Sequence, residues 1–275
     1  MTEQAERYDR IAEGYDRWWA PVLAPSALAL LGELDDEVAA GATSILDVGV
    51  GTGNLALPAV RRWPTVRVTG IDASREMVRT VEAIATDRLD GPDRQRFEAT
   101  VAFADALPFD DATFDAAMSS FVLQLVPNRP PALREIRRVL RPGGRLAYVT
   151  WLQDARVFEP DRIFNGLLDE FGFEDADGDD RSGDLPSVER AAAELRRAGF
   201  RGVTARAATL AHPFTADGYI AFLTEFDEEA LFDSMDRAER RRFLATFRER
   251  LMALDDERLT FRVPIVYASG VRSDA

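Results

Sequence analysis

The chain has 275 residues and a formal net charge of −14, with 34 arginines and neither cysteine nor lysine. Without these two residue types, disulfides, cysteine–zinc sites, Schiff-base chemistry and a phosphate-loop lysine are excluded. The acidic balance argues against a nucleic-acid partner, and the local cluster Arg134, Arg137, Arg138 and Arg141 is typical of a solvated helix face. No apolar run approaches the roughly 18 residues of a membrane span, and the N-terminus is too polar for a signal peptide. We therefore expect a cytoplasmic enzyme without membrane insertion.

Two helices are predicted in the first forty residues. Tyr8, Ile11, Tyr15 and Trp18 recur at helical spacing, and Pro21 is expected to end this helix. A second helical pattern covers residues 26–40 and is followed by a glycine.

Strands and helices alternate from residue 44 to residue 151. Strands are predicted at 44–48, 66–71, 100–104, 114–119 and 145–151, and helices at 54–62, 74–85 and 131–140. Alternation at this spacing predicts βαβ units, a mostly parallel sheet and right-handed crossovers.

The pattern changes after Trp151. Residues 152–186 are interpreted as an insertion loop, because 174–184 is rich in Asp and Gly. That run is not an EF-hand, because Asp180 stands where the loop needs glycine and Pro186 where it needs its last Glu.

The rest of the chain is predicted to contain two further strands and three helices. In chain order these are a helix at 187–198, a strand at 202–211, helices at 215–232 and 236–254 and a strand at 260–269. Pro264 cannot donate to a sheet, so a bulge or a shifted strand boundary is expected there.

Candidate contact residues lie at or just after the carboxyl ends of five consecutive predicted strands, where doubly wound sheets bind their ligands. They are Asp47, Asp72, Asp105, Ser120 and Trp151. Taken singly, Asp72 also suits a helix start and Asp105 a turn. Their common position at one sheet edge favours a ligand site.

Three alternating glycines, Gly49, Gly51 and Gly53, follow the first strand. They permit a tight turn and close approach of a ligand to the backbone. Asp72 lies 19 positions beyond Gly53, near the offset at which an acid binds a ribose diol. The stretch from Gly51 to Ala56, GTGNLA, also fits the dinucleotide pattern, so an NAD(P)-dependent reductase is an alternative.

Four motifs resemble the class I S-adenosylmethionine-dependent methyltransferases. They are DVGVGTG at 47–53, GIDAS at 70–74, DALPFDDATFD at 105–115 and LREIRRVLRPGGRLAYVTW at 133–151. The chain is similar to the methyltransferase type 11 branch, which includes the ubiquinone and menaquinone C-methyltransferases. The resemblance covers residues 45–151, extends to YDRIAEGYD at 8–16 and is weak from 152 onward. It implies a Rossmann-like, doubly wound α/β fold with a seven-stranded sheet, mostly parallel with an antiparallel last strand, plus helical lid insertions.

The resemblance also implies S-adenosyl-L-methionine as cofactor and S-adenosyl-L-homocysteine as product. By analogy the glycines pass beneath the methionine moiety and ribose, Asp47 contacts the amino-acid end, Asp72 the ribose and Asp105 the adenine. The residues so assigned are Tyr15, Asp47, Gly49, Gly51, Gly53, Asp72, Ala73, Met77, Asp105, Ala106, Ser120 and Phe121. A non-catalytic S-adenosylmethionine-binding module is a further alternative.

The acceptor is expected to be a small apolar or aromatic molecule, methylated on oxygen or carbon. The family often has histidine after the fourth strand, but this chain has Gln124, so the single histidine, His212, is the candidate base. The candidates for the acceptor pocket are Trp18, Trp19, Gln124, Trp151, Tyr219 and Phe222. Ordinary core packing is the alternative for the tryptophans.

In the expected organisation, the N-terminal helices precede the core in the chain and close over the cofactor. In order, the segments are the N-terminal helices at 1–40, the cofactor-binding core at 41–151, the insertion loop at 152–186, the remaining core at 187–211 and 258–275, and a helical lid at 212–257. The aromatic content of the helices at 215–254 suggests a lid over an apolar acceptor pocket. A homodimer interface, or helices that simply thicken the core, are the alternatives.

Overall fold

The computed structural model describes residues 3–173 and 183–273. The chain divides into two compact units. The first comprises Met1–Gln153, Arg181–Ala208 and Pro264–Ala275, and the second comprises Asp154–Asp180 and Thr209–Val263. Most of the acidic run 174–184 lies outside the described residues, so its predicted loop conformation stays a prediction.

Seven strands form one sheet in the order β3-β2-β1-β4-β5-β7-β6. The strands are β1 Ser44–Val48, β2 Arg67–Asp72, β3 Phe97–Val101, β4 Phe114–Ser120, β5 Leu140–Trp151, β6 Phe200–Pro213 and β7 Thr260–Arg272. The first five pair in parallel, and β7 runs antiparallel to β5. The doubly wound α/β fold with an antiparallel last strand is therefore confirmed. The strand order reverses between β1 and β4, which is where such sheets bind ligands.

Twelve helices are described in residues 3–173 and 183–273. They are α1 Glu3–Trp18, α2 Ala20–Leu31, α3 Asp35–Ala39, α4 Ala56–Arg62, α5 Arg75–Arg88, α6 Gly91–Arg94, α7 Arg129–Val139, α8 Glu159–Phe171, α9 Val188–Arg197, α10 Ala216–Phe222, α11 Glu229–Ser234 and α12 Arg237–Met252. The core of the first unit lies between sheet and helices, where Leu46 and Tyr148 pack in one cluster with Leu133 and Ile136 of α7.

Pro21 begins a helix instead of ending one. The first helix stops at Trp18, and Pro21 lies in the first turn of α2, where a missing amide costs no intrahelical hydrogen bond. The predicted second helix thus starts earlier than expected, and a 3₁₀ turn at Gly32–Leu34 separates α2 from α3.

Pro264 lies just beyond the last residue pair between β5 and β7. The register between β5 and β7 is continuous from Arg145–Val271 to Trp151–Ile265, so no bulge is needed on this side. The Pro264 carbonyl accepts a hydrogen bond of 3.0 Å from the Leu152 amide. Proline is compatible with this strand because only its carbonyl is used there.

The second unit contains a helix where the sequence suggests a loop. Within the predicted insertion loop 152–186, α8 has buried apolar residues at Phe164, Leu167 and Leu168, and Gly172 ends it in a left-handed conformation. The acidic run beyond it obscures this helical periodicity. Phe164 contacts the rings of Phe232, Phe243 and Phe247, so α8 shares one aromatic core with α11 and α12. The predicted helix at 215–232 is interrupted by a π-helical turn at Leu223–Asp227.

Candidate functional site

The turn after β1 needs glycine for different reasons at its three positions. All three have positive φ, +78° at Gly49, +51° at Gly51 and +88° at Gly53. A Cβ at Gly49 would lie 2.2 Å from Val122 Cγ2, and one at Gly53 would lie 2.8 Å from Leu57 Cγ. A Cβ at Gly51 would meet no atom within 4 Å. Packing therefore fixes the outer two glycines, and backbone conformation alone fixes Gly51.

The Asp72 carboxylate at the end of β2 is held by two backbone amides. Its Oδ2 accepts from the Gly51 amide and its Oδ1 from the Ser74 amide, each at 2.9 Å. Burial raises the pKa of Asp72, and the amides of Ser74 and Gly51 oppose that rise. The side chain is thus oriented by the glycine turn while each oxygen retains lone-pair capacity for a ligand donor.

Asp47 in β1 is a buried acid beneath the same turn. Neither carboxylate oxygen has a well-formed hydrogen bond within the described part of the chain, and the residue is 1% exposed. Burial raises the pKa of Asp47 well above its usual range, and the charge on Asp72 adds to the effect. The Ala56 amide partly favours the charged form. A nearby cation would stabilise this carboxylate.

The N-terminal helix is attached to the start of α5. Asp9 Oδ1 accepts from the Ser74 hydroxyl at 2.5 Å and from the Glu76 amide at 3.1 Å. Ser74 is itself the N-cap of α5, because its hydroxyl oxygen accepts from the Met77 amide at 3.0 Å. The bonds from Ser74 and Glu76 lower the pKa of Asp9. We call Asp9, Ser74 and Glu76 the α1 latch.

A second contact and two aromatic side chains complete this side. Arg88 of α5 pairs with Asp16 of α1 at 2.6 Å. The Tyr8 and Tyr15 rings meet edge to face with centroids 6.0 Å apart. Burial raises the pKa of Tyr15 well above its usual value, with further contributions from Tyr8 and Asp72. Tyr15 is therefore a neutral hydroxyl close to the Asp72 carboxylate.

A cavity of about 240 Å³ lies in the first unit. It is bordered by Tyr8, Tyr15, Asp72, the glycine turn after β1 and the segments that follow β3 and β4. Nine of the twelve predicted cofactor residues border it. They are Tyr15, Gly49, Gly51, Asp72, Ala73, Met77, Asp105, Ser120 and Phe121. Asp47, Gly53 and Ala106 do not border it.

None of the predicted acceptor residues borders this cavity. Trp18 and Trp19 are partly exposed at the junction of α1 and α2. The Gln124 amide bonds to the Thr150 hydroxyl, and Trp151 packs against Phe121. The acceptor pocket stays a prediction.

The other candidates belong to the second unit. Tyr219 and Phe222 are buried there, 3% and 5% exposed. His212 is half-buried, with its ring centroid 4.6 Å from that of Phe214, and burial lowers its pKa. Its role as a base stays a prediction.

Several bordering residues have only a weak signal in the sequence. Tyr8 and Leu23 project from α1 and α2, and Leu125 to Asn128 lie after β4. Position after a strand's carboxyl end could have indicated the segment 125–128. Leu23 is one of many apolar residues in α2, so its pattern predicts burial and nothing more specific.

Two features are absent from the part of the chain that the structure describes. No helix there has the length and apolar character needed to cross a membrane. No group of three or more His, Asp or Glu side chains within the same residues could hold a metal ion.

Known proteins share this domain. Residues 45–144 match the family model described as a methyltransferase domain. The chain is 37% identical over 153 residues to the ubiquinone/menaquinone biosynthesis C-methyltransferase UbiE of Syntrophotalea carbinolica, covering 54% of this chain and 58% of that protein. These matches confirm the predicted resemblance of residues 45–144 to the methyltransferases of the UbiE branch. The chain spans about half the length of the curated relatives it matches.

Solved structures show the same fold. The YcgJ protein from Bacillus subtilis aligns with a TM-score of 0.58 at 19% identity, over 90% of this chain and 99% of that one. Phosphoethanolamine N-methyltransferase 2 from Haemonchus contortus, solved with phosphomonomethylethanolamine and S-adenosylhomocysteine, aligns with a TM-score of 0.52 at 17% identity, over 91% of this chain and 53% of that one. At these identities the likeness concerns the fold alone.

Proposed function

We propose that the chain is an S-adenosylmethionine-dependent methyltransferase acting on a small apolar or aromatic acceptor. The observation that carries this proposal is the Asp72 carboxylate, held by the amides of Gly51 and Ser74 at the edge of a cavity. This arrangement lies within a segment that matches the methyltransferase domain. A carboxylate fixed in this way suits a ribose diol, whose two hydroxyls are donors.

The surrounding residues fit the remainder of such a cofactor. Asp47 does not border the cavity, but it lies buried beneath the glycine turn, where a nearby ammonium group would stabilise its charged form. Met77 and Ala73 offer apolar surface, and Asp105 offers a carboxylate to a nucleobase amino group. When bound, S-adenosylmethionine supplies a methyl group on a sulfonium cation. The aromatic residues Tyr15 and Phe121 border the cavity, and aromatic side chains suit a cationic ligand.

The chain contributes to the reaction mainly by orientation. Methyl transfer by in-line displacement forms the acceptor–carbon bond as the carbon–sulfur bond breaks, so alignment is the principal requirement. Fixing two reactants in line contributes about 7–11 kcal/mol in favourable cases. The α1 latch and the Asp72 amide contacts serve this alignment by holding the walls of the cavity in place.

The acceptor is proposed to be methylated on carbon or oxygen. The UbiE relative is named as a C-methyltransferase. Residues 45–144, which match the methyltransferase domain, include most of the residues that border the cavity. His212 is the proposed base for an acceptor that loses a proton. If so, His212→Ala lowers the rate and changes its pH profile, and an unchanged profile rejects the role.

The test is methyl transfer from labelled S-adenosylmethionine to a panel of phenols, quinols and amines. We expect labelled product from at least one phenol or quinol, with the label on oxygen or carbon. Binding of the cofactor without transfer to any acceptor would favour the non-catalytic module. Binding of NADPH in preference to S-adenosylmethionine would favour the reductase suggested by GTGNLA.

A further inference from the structure

Phe121, directly after β4, has an unusual backbone conformation. Its φ is +55°, in the left-handed region that non-glycine residues rarely adopt. The residue is 5% exposed and borders the cavity. A strained backbone at a site persists only where neighbouring groups hold it, so those groups are informative.

The backbone of Phe121 is held on both sides. Its amide donates to the Val149 carbonyl at 2.9 Å, and its carbonyl accepts from Gln124 Nε2 at 2.7 Å. Gln124 Oε1 in turn accepts from the hydroxyl of Thr150, a fully buried residue, at 2.5 Å. The amide of Gln124 therefore uses both of its ends, and this pairing fixes which end is nitrogen.

The ring of Phe121 is restrained as well. It packs against Trp151 with centroids 4.3 Å apart and an interplanar angle of 38°. Gly183 packs closely against the backbone of Gln124, because a Cβ at this glycine would lie 1.8 Å from the backbone carbonyl oxygen of Gln124. Thr150 and Trp151 are consecutive in β5, so one strand anchors both the Gln124 amide and the Phe121 ring.

We propose that Gln124 is a positioning residue that holds Phe121 in this conformation and so places its ring at the cavity wall. Gln124 is also a candidate for the acceptor pocket, and that candidacy stays a prediction. Its two hydrogen bonds are directed to the Phe121 carbonyl and the Thr150 hydroxyl, so its side chain acts on the cavity through Phe121. The identity of the molecule beside Phe121 rests on the proposed function, whereas the coupling of Gln124 to Phe121 does not.

A double-mutant cycle tests the coupling through ligand affinity. Gln124→Met keeps the side-chain volume but removes both hydrogen bonds, and we expect S-adenosylhomocysteine to bind about 10-fold more weakly, equivalent to about 1.4 kcal/mol at 25 °C. Phe121→Ala removes the ring and is expected to weaken binding by a similar factor. Because Gln124 acts through that ring, the double variant should bind within about 2-fold of Phe121→Ala. Multiplication of the two single effects would overturn the proposal.

A second readout needs no ligand. The Phe121–Trp151 pair should give a near-ultraviolet circular dichroism band that disappears in Trp151→Phe. We expect Gln124→Met to lose most of this band and Thr150→Val to lose part of it. Gln95→Met, the same chemical change at an exposed position, should keep both the band and the affinity. An unchanged band in Gln124→Met rejects the positioning role. If the wild type does not bind S-adenosylhomocysteine, the proposed function fails, and the band still decides the role of Gln124.

Discussion

Asp47 is a buried acid whose charged form lowers the stability of the folded chain. Both carboxylate oxygens are buried, and burial raises the pKa well above 3.8. The folded state therefore binds a proton more tightly than the unfolded chain. Between the unfolded pKa and the raised folded pKa, the free energy of unfolding must fall as pH rises, because the folded state holds the extra proton.

Asp47→Asn should remove this pH dependence. In the ligand-free protein at pH 7 we expect the variant to be about 1 kcal/mol more stable, because no buried charge remains. It should also bind S-adenosylmethionine more weakly. Urea denaturation at pH 5 and pH 7 measures the first effect, with the exposed Asp87→Asn as control. A variant less stable than wild type at pH 7 would contradict this account.

Gly49 and Gly51 should respond differently to alanine. Gly49→Ala combines a left-handed backbone, which costs about 1–2 kcal/mol, with a clash against Val122, which costs about 1–3 kcal/mol. Gly51→Ala should cost only the backbone part. In the double variant with Val122→Ala, the clash is removed, so unfolding measurements should show partial recovery of Gly49→Ala. No recovery would show that Val122 does not set the requirement for glycine.

At the scale of elements, the α1 latch joins a helix to the site. Asp9 bonds to Ser74, and the Ser74 amide bonds to Asp72, so α1 and the proposed ribose-binding carboxylate share one hydrogen-bond chain. Loss of a capping interaction costs about 0.5–2 kcal/mol. The latch also depends on pH: the hydrogen bonds lower the pKa of Asp9, so its stabilisation is complete above the unfolded pKa and is lost as pH falls through the lower folded pKa.

Asp9→Ala should loosen α1 without unfolding the sheet. We expect amide hydrogen exchange in α1 to become about 5-fold faster, matching a loss of about 1 kcal/mol, while exchange in β1 and β4 stays unchanged. Asp9→Asn keeps an acceptor oxygen for Ser74 and Glu76 and serves as the matched control. Equal exchange in Asp9→Ala and wild type would mean that the latch does not hold α1.

The sheet and the proposed cofactor residues could be predicted from the sequence for one reason. In βαβ units each strand is a short apolar run, and polar residues at successive carboxyl ends must share an edge, which places Asp72 and Asp105 at one cavity. Side-chain partners carry no such periodic signal. The strained φ of Phe121, the Asp9–Ser74 contact and the clash partner of Gly49 all depend on distant residues. The acidic run next to α8 hid the helical pattern of that segment in the sequence. Pro21 was misassigned because a proline can either end one helix or begin the next.

At the scale of the whole molecule, the residues divide between two units. The residues that border the cavity belong to the first, and the aromatic cluster around Phe243 belongs to the second. The proposed lid of residues 212–257 lies entirely within the second unit. Damage to a lid should impair binding of the acceptor more than binding of the cofactor.

Phe243→Ala tests this separation. The ring is fully buried, so its loss should destabilise the second unit by about 3–5 kcal/mol. We expect S-adenosylhomocysteine affinity to stay within about 2-fold of wild type and methyl transfer to fall at least about 10-fold, which corresponds to about 1.4 kcal/mol. Met252→Ala, at an exposed position in α12, is the control. Parallel loss of affinity and transfer would contradict a lid confined to the acceptor.

The central claim is that the cavity beside Asp72 binds S-adenosylmethionine, and titration calorimetry tests it most directly. We predict one-to-one binding of S-adenosylhomocysteine and no measurable heat with NADPH. Asp72→Ala removes a charged hydrogen-bond acceptor and should weaken binding by at least about 10-fold, since such bonds contribute about 1.5–3 kcal/mol. Asp87→Ala should bind as wild type does. Binding of NADPH alone, or full affinity for S-adenosylhomocysteine in Asp72→Ala, would contradict the account.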